Sequence, residues 1–133
     1  MHPCKEFPSD ELLLAIAQFN RGDWFECHET LEELWMGEHG EMRSFYQGIL
    51  QISVAMHHWA NGNFEGAIAL LKSGADYLRN VRSVCRQIDV TGFVAAADSF
   101  RKALDGLGKE RMAELDPSLM PPIQTVPVEI DKD

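Results

Sequence analysis

Apolar residues recur at three- and four-residue spacing along most of this chain, and no stretch of useful length alternates as a strand would. This period places apolar side chains on one face of a helix. Breaks such as Arg21-Gly22-Asp23 and Asn61-Gly62-Asn63 divide the pattern into five segments. Because short connections favour antiparallel neighbours, the sequence predicts an all-α fold, a compact up-down helical bundle of about five helices.

Capping residues and glycines set the expected helix boundaries. A polar residue before an apolar segment caps the free N–H groups of the first helical turn. The helices are expected to begin after Ser9, after Asp23 (in a capping box with Glu26), near Glu41, near Phe64 and after a cap at Thr91. The second is expected to end near Gly37, the third at Ala60 and the fourth between Arg79 and Gln87.

The C-terminal segment is predicted to be extended. Because proline lacks the backbone N–H and its ring clashes with the preceding turn, the four prolines after Asp116 exclude a regular helix there. We therefore predict a single helical domain over residues 1–115 and an extended Pro-rich tail over residues 116–133. The apolar residues of this tail are expected to dock on the domain or on a neighbouring copy: Leu119, Met120, Ile123, Val126 and Val128.

Charge and hydrophobicity exclude several partners. The formal net charge is −9, from 21 acidic and 12 basic residues, and phosphate neutralisation drives most nucleic-acid affinity. No apolar run approaches the ~18 residues of a membrane span. The start, MHPCKEFPSD, has no basic flank before an apolar stretch, so nothing in it indicates export. We predict a cytoplasmic protein that binds neither nucleic acid nor a membrane.

The basic residues are concentrated in the second half of the chain. Arg79, Arg82 and Arg86 share one side of a predicted helix and form a basic patch that would suit an anionic partner. Alternatively, they are part of a solvated face that attracts the acidic N-terminal third, within one chain or between subunits.

Three cysteines, Cys4, Cys27 and Cys85, are scattered and form no CxxC pair. An odd, dispersed set argues against a disulfide framework and against a cysteine-based zinc knuckle. Cys27 falls on the apolar side of the second helix, where a free cysteine behaves as a small core residue.

The second helix carries a histidine and a glutamate one turn apart. At 100° per residue, Glu32 lies about 40° from His28, between Trp35 and Phe25 and inside the apolar arc. A buried carboxylate must be paired, hydrogen-bonded, metal-bound or protonated, because an isolated buried charge is very costly. The sequence therefore predicts a buried polar cluster around this pair.

The third helix offers partners for this cluster. One side is apolar, and the opposite side carries a polar stripe that we expect to face the second helix: Arg43, Gln47, Gln51 and His58. His57 is rotated by about 80° from this stripe and is a weaker member. A helix that is apolar on one side and half apolar on the other is expected to be covered on both faces.

Three interpretations of the cluster stay open. In the first, a divalent metal is bound by His28, Glu32 and His58, with one coordination position left open. In the second, a small polar ligand is bound by Trp35, Arg43, Gln47 and Gln51. In the third, Arg43 pairs with Glu32 and the cluster only fixes helix packing, in a structural module that self-associates as a homo-oligomer.

The segment also resembles a known family, the domain of unknown function 309, whose all-helical members carry the signature H-x-x-x-E-x-x-W/Y. Here the signature is His28-Glu-Thr-Leu-Glu32-Glu-Leu-Trp35, and the similarity extends over roughly Asn20 to Leu78. The resemblance implies a helical fold and a metal-binding role for His28 and Glu32, without an established activity, substrate or cofactor. The chain shows no complete catalytic set, phosphate-binding loop or nucleotide fingerprint.

Overall fold

The computed structural model describes residues 2–120 and 122–127. The helices within these residues are α1 (Asp10–Asn20), α2 (Trp24–Met36), α3 (Gly40–Ala60), α4 (Phe64–Leu78) and α5 (Val90–Leu107). Consecutive helices pack against one another, and α3 lies between α2 and α4. The predicted all-α fold of about five packed helices is confirmed. In the described part of the chain, no helix combines the length and the hydrophobicity needed to cross a membrane.

One core holds the helices together. Each helix contributes at least one large side chain with less than 2% exposure: Leu12, Leu31, Phe45, Leu71 and Phe100. Cys27 is fully buried as expected, and burial raises the pKa of its thiol to about 12. The thiol is therefore protonated and unreactive at neutral pH, because the thiolate is the nucleophilic form.

The helix caps agree only in part with the sequence signals. The Ser9 hydroxyl accepts a hydrogen bond from the backbone N–H of Leu12 at 3.2 Å, as predicted. Asp23 does precede α2, but its carboxylate accepts from Arg21 at 3.1 Å and makes no capping bond, so the predicted capping box is wrong. Helix α5 is capped by Asp89, which accepts from the N–H of Gly92 at 2.9 Å, and not by Thr91.

A short antiparallel hairpin, which the sequence did not predict, lies between α4 and α5. Its strands are β1 (Val84–Cys85) and β2 (Ile88–Asp89). Arg86 and Gln87 form the two-residue turn with φ values of 51° and 66°. Two positive φ values are the geometry of a type I′ turn, whose twist matches that of the flanking strands.

The three arginines of the predicted basic patch all lie after the end of α4, and Arg86 lies in the hairpin turn. Because α4 ends at Leu78, the three arginines do not share a helix side, and that prediction is wrong. The guanidinium of Arg79 contacts Asp98 at 2.8 Å. Arg86 contacts Glu6 at 2.7 Å and donates to the carbonyl of Pro3 at 2.6 Å, so its charge is used within the chain.

The chain after α5 runs back over the domain. A 3₁₀-helix, Lys109–Glu114, follows α5 within the helical domain. A second, Pro117–Leu119, shows that the start of the predicted extended tail is helical. The N–H of Ile123 donates to Asn20 at 2.8 Å, and the N–H of Val126 donates to the carbonyl of Gln87 at 2.7 Å. Residues 122–127 therefore dock on their own domain. Pro121 and residues 128–133, Val128 included, lie outside the described residues.

The cysteines also correct the sequence analysis. Cys4 and Cys85 form a disulfide that joins the N-terminal segment to β1. Their sequence separation of 81 residues gives no local spacing motif, which is why the pairing was not predicted.

Several large apolar side chains are exposed in the described chain: Phe7, Leu13, Leu14, Phe25, Met36, Tyr77 and Leu119. Scattered exposed hydrophobic residues are normal on a monomer surface. The predicted homo-oligomer stays a prediction.

Candidate functional site

Helix α2 presents three signature residues on one side. His28, Glu32 and Trp35 are spaced by four and three residues, which are neighbouring positions on a helix surface. His28 Nε2 lies 3.3 Å from Glu32 Oε2. The imidazole and the carboxylate, which the sequence places one turn apart, are therefore in contact with each other.

Glu32 is not buried, which corrects the expected depth of the cluster. Its side chain is 52% exposed, whereas that of His28 is 26% exposed. Only Cys27 and Leu31 of α2 are fully enclosed, because α1 and α3 cover a narrower arc of the helix than the sequence predicted. Among the described contacts, His28 is the polar partner of Glu32, and no hydrogen bond or ion pair joins Glu32 to Gln47 or Gln51.

Arg43 stacks on the signature tryptophan. Its guanidinium carbon lies 3.9 Å from the centroid of the Trp35 ring, and Nη1 donates to the carbonyl of Glu38 at 3.4 Å. The expected ion pair between Arg43 and Glu32 is thus absent from the described contacts. A cation–π contact at an exposed site contributes about 0.5–1 kcal/mol.

His57, and not His58, is the histidine of α3 that shares an aromatic neighbour with His28. The Phe25 ring lies 5.7 Å from the His28 ring and 5.5 Å from the His57 ring, measured between centroids. His58 Nδ1 instead lies 3.3 Å from the Asn63 side chain at the start of α4.

The polar stripe of α3 therefore divides between two neighbouring helices. Arg43 reaches α2 at one end, and His58 reaches the start of α4 at the other. Gln51 is seven residues before His58 and so lies on nearly the same side of the helix. Relative to Arg43, the later members of the stripe are rotated by about 40–80° around α3, which turns its far end from α2 toward α4.

Buried polar atoms without a protein partner mark the signature face. In the described chain they are His28 Nδ1, Trp35 Nε1, Gln51 Oε1 and Arg101 Nε. Leaving a buried donor or acceptor unpaired costs about 1–3 kcal/mol, so such atoms need an explanation. Two of the four belong to the signature residues on either side of Glu32.

The fit of a metal to the predicted ligand set can be tested on this geometry. His28 and Glu32 converge, but His58 does not join them within the 4.8 Å expected of a shared ion, as judged over the described residues. The pair thus supplies two protein ligands, fewer than the three of a typical catalytic zinc site.

Comparison with known proteins finds a family that is similar to the segment bearing this face. The family model described as Domain of unknown function (DUF309) matches residues 12–70. That range covers nearly all of α1, all of α2 and α3, and the first half of α4.

Two relatives are uncharacterised bacterial proteins. An uncharacterised protein of Aquifex aeolicus (strain VF5) is 33% identical over 63 residues, which are 45% of this chain and 19% of that protein. Uncharacterised protein YpuF of Bacillus subtilis (strain 168) is 34% identical over 71 residues, 53% of this chain and 39% of YpuF. The chain therefore matches only about a fifth and two fifths of their lengths.

No solved structure matches the chain significantly. The resemblance predicted from the H-x-x-x-E-x-x-W signature is confirmed by the family match: residues 12–70 of the chain are similar to the domain of unknown function DUF309.

Proposed function

We propose that the face of α2 bearing His28, Glu32 and Trp35 binds a small polar ligand. The observation that carries the proposal is the pair of buried ring nitrogens, His28 Nδ1 and Trp35 Nε1, neither of which has a protein partner. The cost of two unpaired buried groups is removed when a ligand supplies the missing hydrogen bonds.

The ring nitrogens offer complementary chemistry. Trp35 Nε1–H is a donor only. Because His28 Nε2 faces the Glu32 carboxylate at 3.3 Å, the neutral ring holds its proton on Nε2 and leaves Nδ1 as an acceptor. The face therefore suits a molecule with an acceptor for Trp35 and a hydroxyl or amine donor for His28.

Two neighbours define the rim of this face. Phe25 is 48% exposed and its ring lies 5.7 Å from the His28 ring, so it forms the rim of the face beside His28. The Arg43 guanidinium over Trp35 adds a positive charge at the other end, where it would favour a carboxylate or another anionic group on the ligand.

Ligand binding is expected to shift the indole N–H resonance of Trp35 in heteronuclear NMR spectra recorded against a panel of amino acids, organic acids, sugars and nucleosides. Trp59 provides an internal control, because its Nε1 already donates to the carbonyl of Met112 at 3.0 Å and should not respond. Trp35→Phe keeps an aromatic ring but removes the donor, and should weaken binding about tenfold, the value of one neutral hydrogen bond.

Equal shifts of both indoles, or unchanged affinity in Trp35→Phe, would contradict the proposed site. If the cluster only fixes helix packing, no compound of the panel produces a saturable shift, and the structural interpretation is then preferred.

A divalent metal is the second candidate, favoured by the convergence of His28 Nε2 and Glu32 Oε2. Under this interpretation the two side chains hold the ion, which would act as a Lewis acid toward a bound polar group. Metal analysis of untagged protein, after exposure to Zn²⁺ or Mn²⁺ under non-reducing conditions and dialysis, should find about one equivalent.

The control for this measurement is a pair of variants. His28→Ala should lose the metal, whereas Arg43→Ala should keep it, because Arg43 contacts Trp35 and Glu38 and not Glu32. Less than about a tenth of an equivalent in the wild-type protein removes the metal candidate and leaves the small-ligand proposal intact.

A further inference from the structure

A second group of metal-ligating side chains lies beside the first turn of α3. His57, which lies near the α2 face, is in the last turn of the same helix. His2 Nε2 is 2.9 Å from Glu41 Oε1, and Cys4 Sγ is 3.7 Å from Glu41 Oε2. The ligand atoms of His2, Cys4 and Glu41 all lie within 4.8 Å of one another, and no other such group of three occurs among the described residues. Cys85 is bonded to Cys4 and completes what we term the N-terminal cluster: His2, Cys4, Glu41 and Cys85.

We propose that reduction of the Cys4–Cys85 disulfide converts the N-terminal cluster into a zinc site with these four side chains as ligands. A dithiol reductant transfers two electrons and two protons to the disulfide, becomes a cyclic disulfide itself, and leaves two thiols. Zinc then replaces the two thiol protons, which are released to solvent. The disulfide and the zinc ion are thus alternative cross-links at the same place.

The donor set matches the preferences of this ion. Two thiolates, one imidazole and one carboxylate are the ligand types that Zn²⁺ takes in tetrahedral geometry. Bond lengths of about 2.0–2.3 Å to zinc keep neighbouring ligand atoms ~3.3–3.8 Å apart. The ligand atoms of His2, Cys4 and Glu41, all within 4.8 Å of one another, lie close to this range, and Cys85 is held beside them by its bond to Cys4.

Contacts that do not involve the disulfide hold the ligands in place. Glu41 Oε2 accepts from the backbone N–H of Arg82 at 2.8 Å, which fixes the carboxylate on the hairpin side of α3. The N–H of Arg86 donates to the carbonyl of Cys4 at 2.6 Å, and its side chain binds Pro3 and Glu6. The N-terminal segment therefore stays against β1 after the sulfur–sulfur bond opens.

Binding has one identifiable cost. His2 Nδ1 accepts from the N–H of Cys4 at 3.0 Å. Coordination through either ring nitrogen exchanges this hydrogen bond for a metal–nitrogen bond, since a neutral imidazole has a single lone pair for an ion or a donor. His2 and Glu41 are about three quarters buried, so water competes weakly for these positions.

The site is separate from the face of α2. Glu41 and His57, the neighbour of Phe25, are sixteen residues apart on α3, which corresponds to about 24 Å along the helix axis. His2, Cys4 and Cys85 also lie outside the segment that matches the domain family.

The test uses the untagged full chain in two redox states. Protein reduced with a phosphine, which adds no thiol ligands, is loaded with Zn²⁺, dialysed and analysed for metal beside the oxidised protein. We expect the reduced form to hold one equivalent of zinc more than the oxidised form, whatever the α2 face binds. Co²⁺ in place of Zn²⁺ should give the near-ultraviolet charge-transfer bands of thiolate ligation.

Matched variants assign the ligands. His2→Ala and Cys4→Ser should each weaken zinc binding at least tenfold, and circular dichroism shows whether they remain folded. Cys27→Ala is the cysteine control and His28→Ala the control for the α2 face; both should still gain one equivalent of zinc on reduction. No gain of zinc on reduction of the wild-type protein, a cobalt spectrum without thiolate bands, or a loss of this gain in Cys27→Ala equal to that in Cys4→Ser would each overturn the proposal.

Discussion

Reduction of the Cys4–Cys85 disulfide in the presence of a metal chelator is expected to lower the free energy of unfolding by about 4 kcal/mol. The bond joins residues 81 positions apart, so it removes a large amount of conformational entropy from the unfolded chain. The size of the closed loop, and not any contact of the sulfurs in the folded state, sets the expected value. The chelator ensures that zinc does not replace the lost cross-link.

Urea unfolding followed by circular dichroism, with and without a phosphine reductant, measures this effect. The double variant Cys4→Ser/Cys85→Ser should unfold at the same urea concentration as the reduced wild-type protein and should not respond to the reductant. Cys27→Ala should respond as the wild type does, because Cys27 is not cross-linked. Identical midpoints for the oxidised and reduced wild-type protein would contradict the expected stabilisation.

Gly48→Ala is expected to destabilise the protein by about 1–2 kcal/mol, although alanine is the better helix former. Helices α3 and α4 cross with Gly48 against Gly74, and a Cβ on either residue would lie 2.8 Å from the carbonyl oxygen of the other. Backbone atoms cannot rotate away, so the helices must separate, and overpacking of this kind costs about 1–3 kcal/mol. The gain of about 1 kcal/mol in helix propensity offsets only part of that cost.

Gly106→Ala is the matched control for this prediction. Gly106 lies in α5, and no atom is found within 4 Å of the position that its Cβ would take. The substitution should therefore stabilise the protein by up to about 1 kcal/mol through helix propensity alone. Chemical denaturation of both variants checks the pair, and changes of the same sign would show that the close approach of α3 and α4 does not limit the side chain at Gly48.

The cross-link also bears on the predicted cytoplasmic location, which stays a prediction. Disulfides are rare in proteins of the reducing cytosol. If the protein resides there, the reduced form is the relevant one, and the zinc site proposed for the N-terminal cluster becomes the cross-link that operates.

Local pattern determined the helices of this protein. The boundaries of α1, α2 and α3 lie within about one residue of the predicted ones, because caps, glycine breaks and apolar periodicity act over a single helical turn. The pairing of His28 with Glu32 has the same origin, since residues four apart on a helix are neighbours whatever surrounds them.

The failures at the candidate site involve residues distant in sequence. Whether Glu32 is buried depends on how much of α2 its neighbours cover, and which histidine of α3 shares an aromatic neighbour with His28 depends on the rotation of one helix against another. His57 and His58 differ by about 100° around the axis of α3. The orientation of α3 in the bundle therefore decides which of the two histidines lies on the side of α2.

The sequence by itself determined the helical class, the boundaries of α1, α2 and α3 and the residues of the signature face, because each of these follows from spacing within one or two turns. Only the tertiary structure decided that Cys4 meets Cys85, that residues 122–127 return to the hairpin, and that His2 and Glu41 face each other. These contacts depend on how separate elements pack, and local spacing carries no information about such packing.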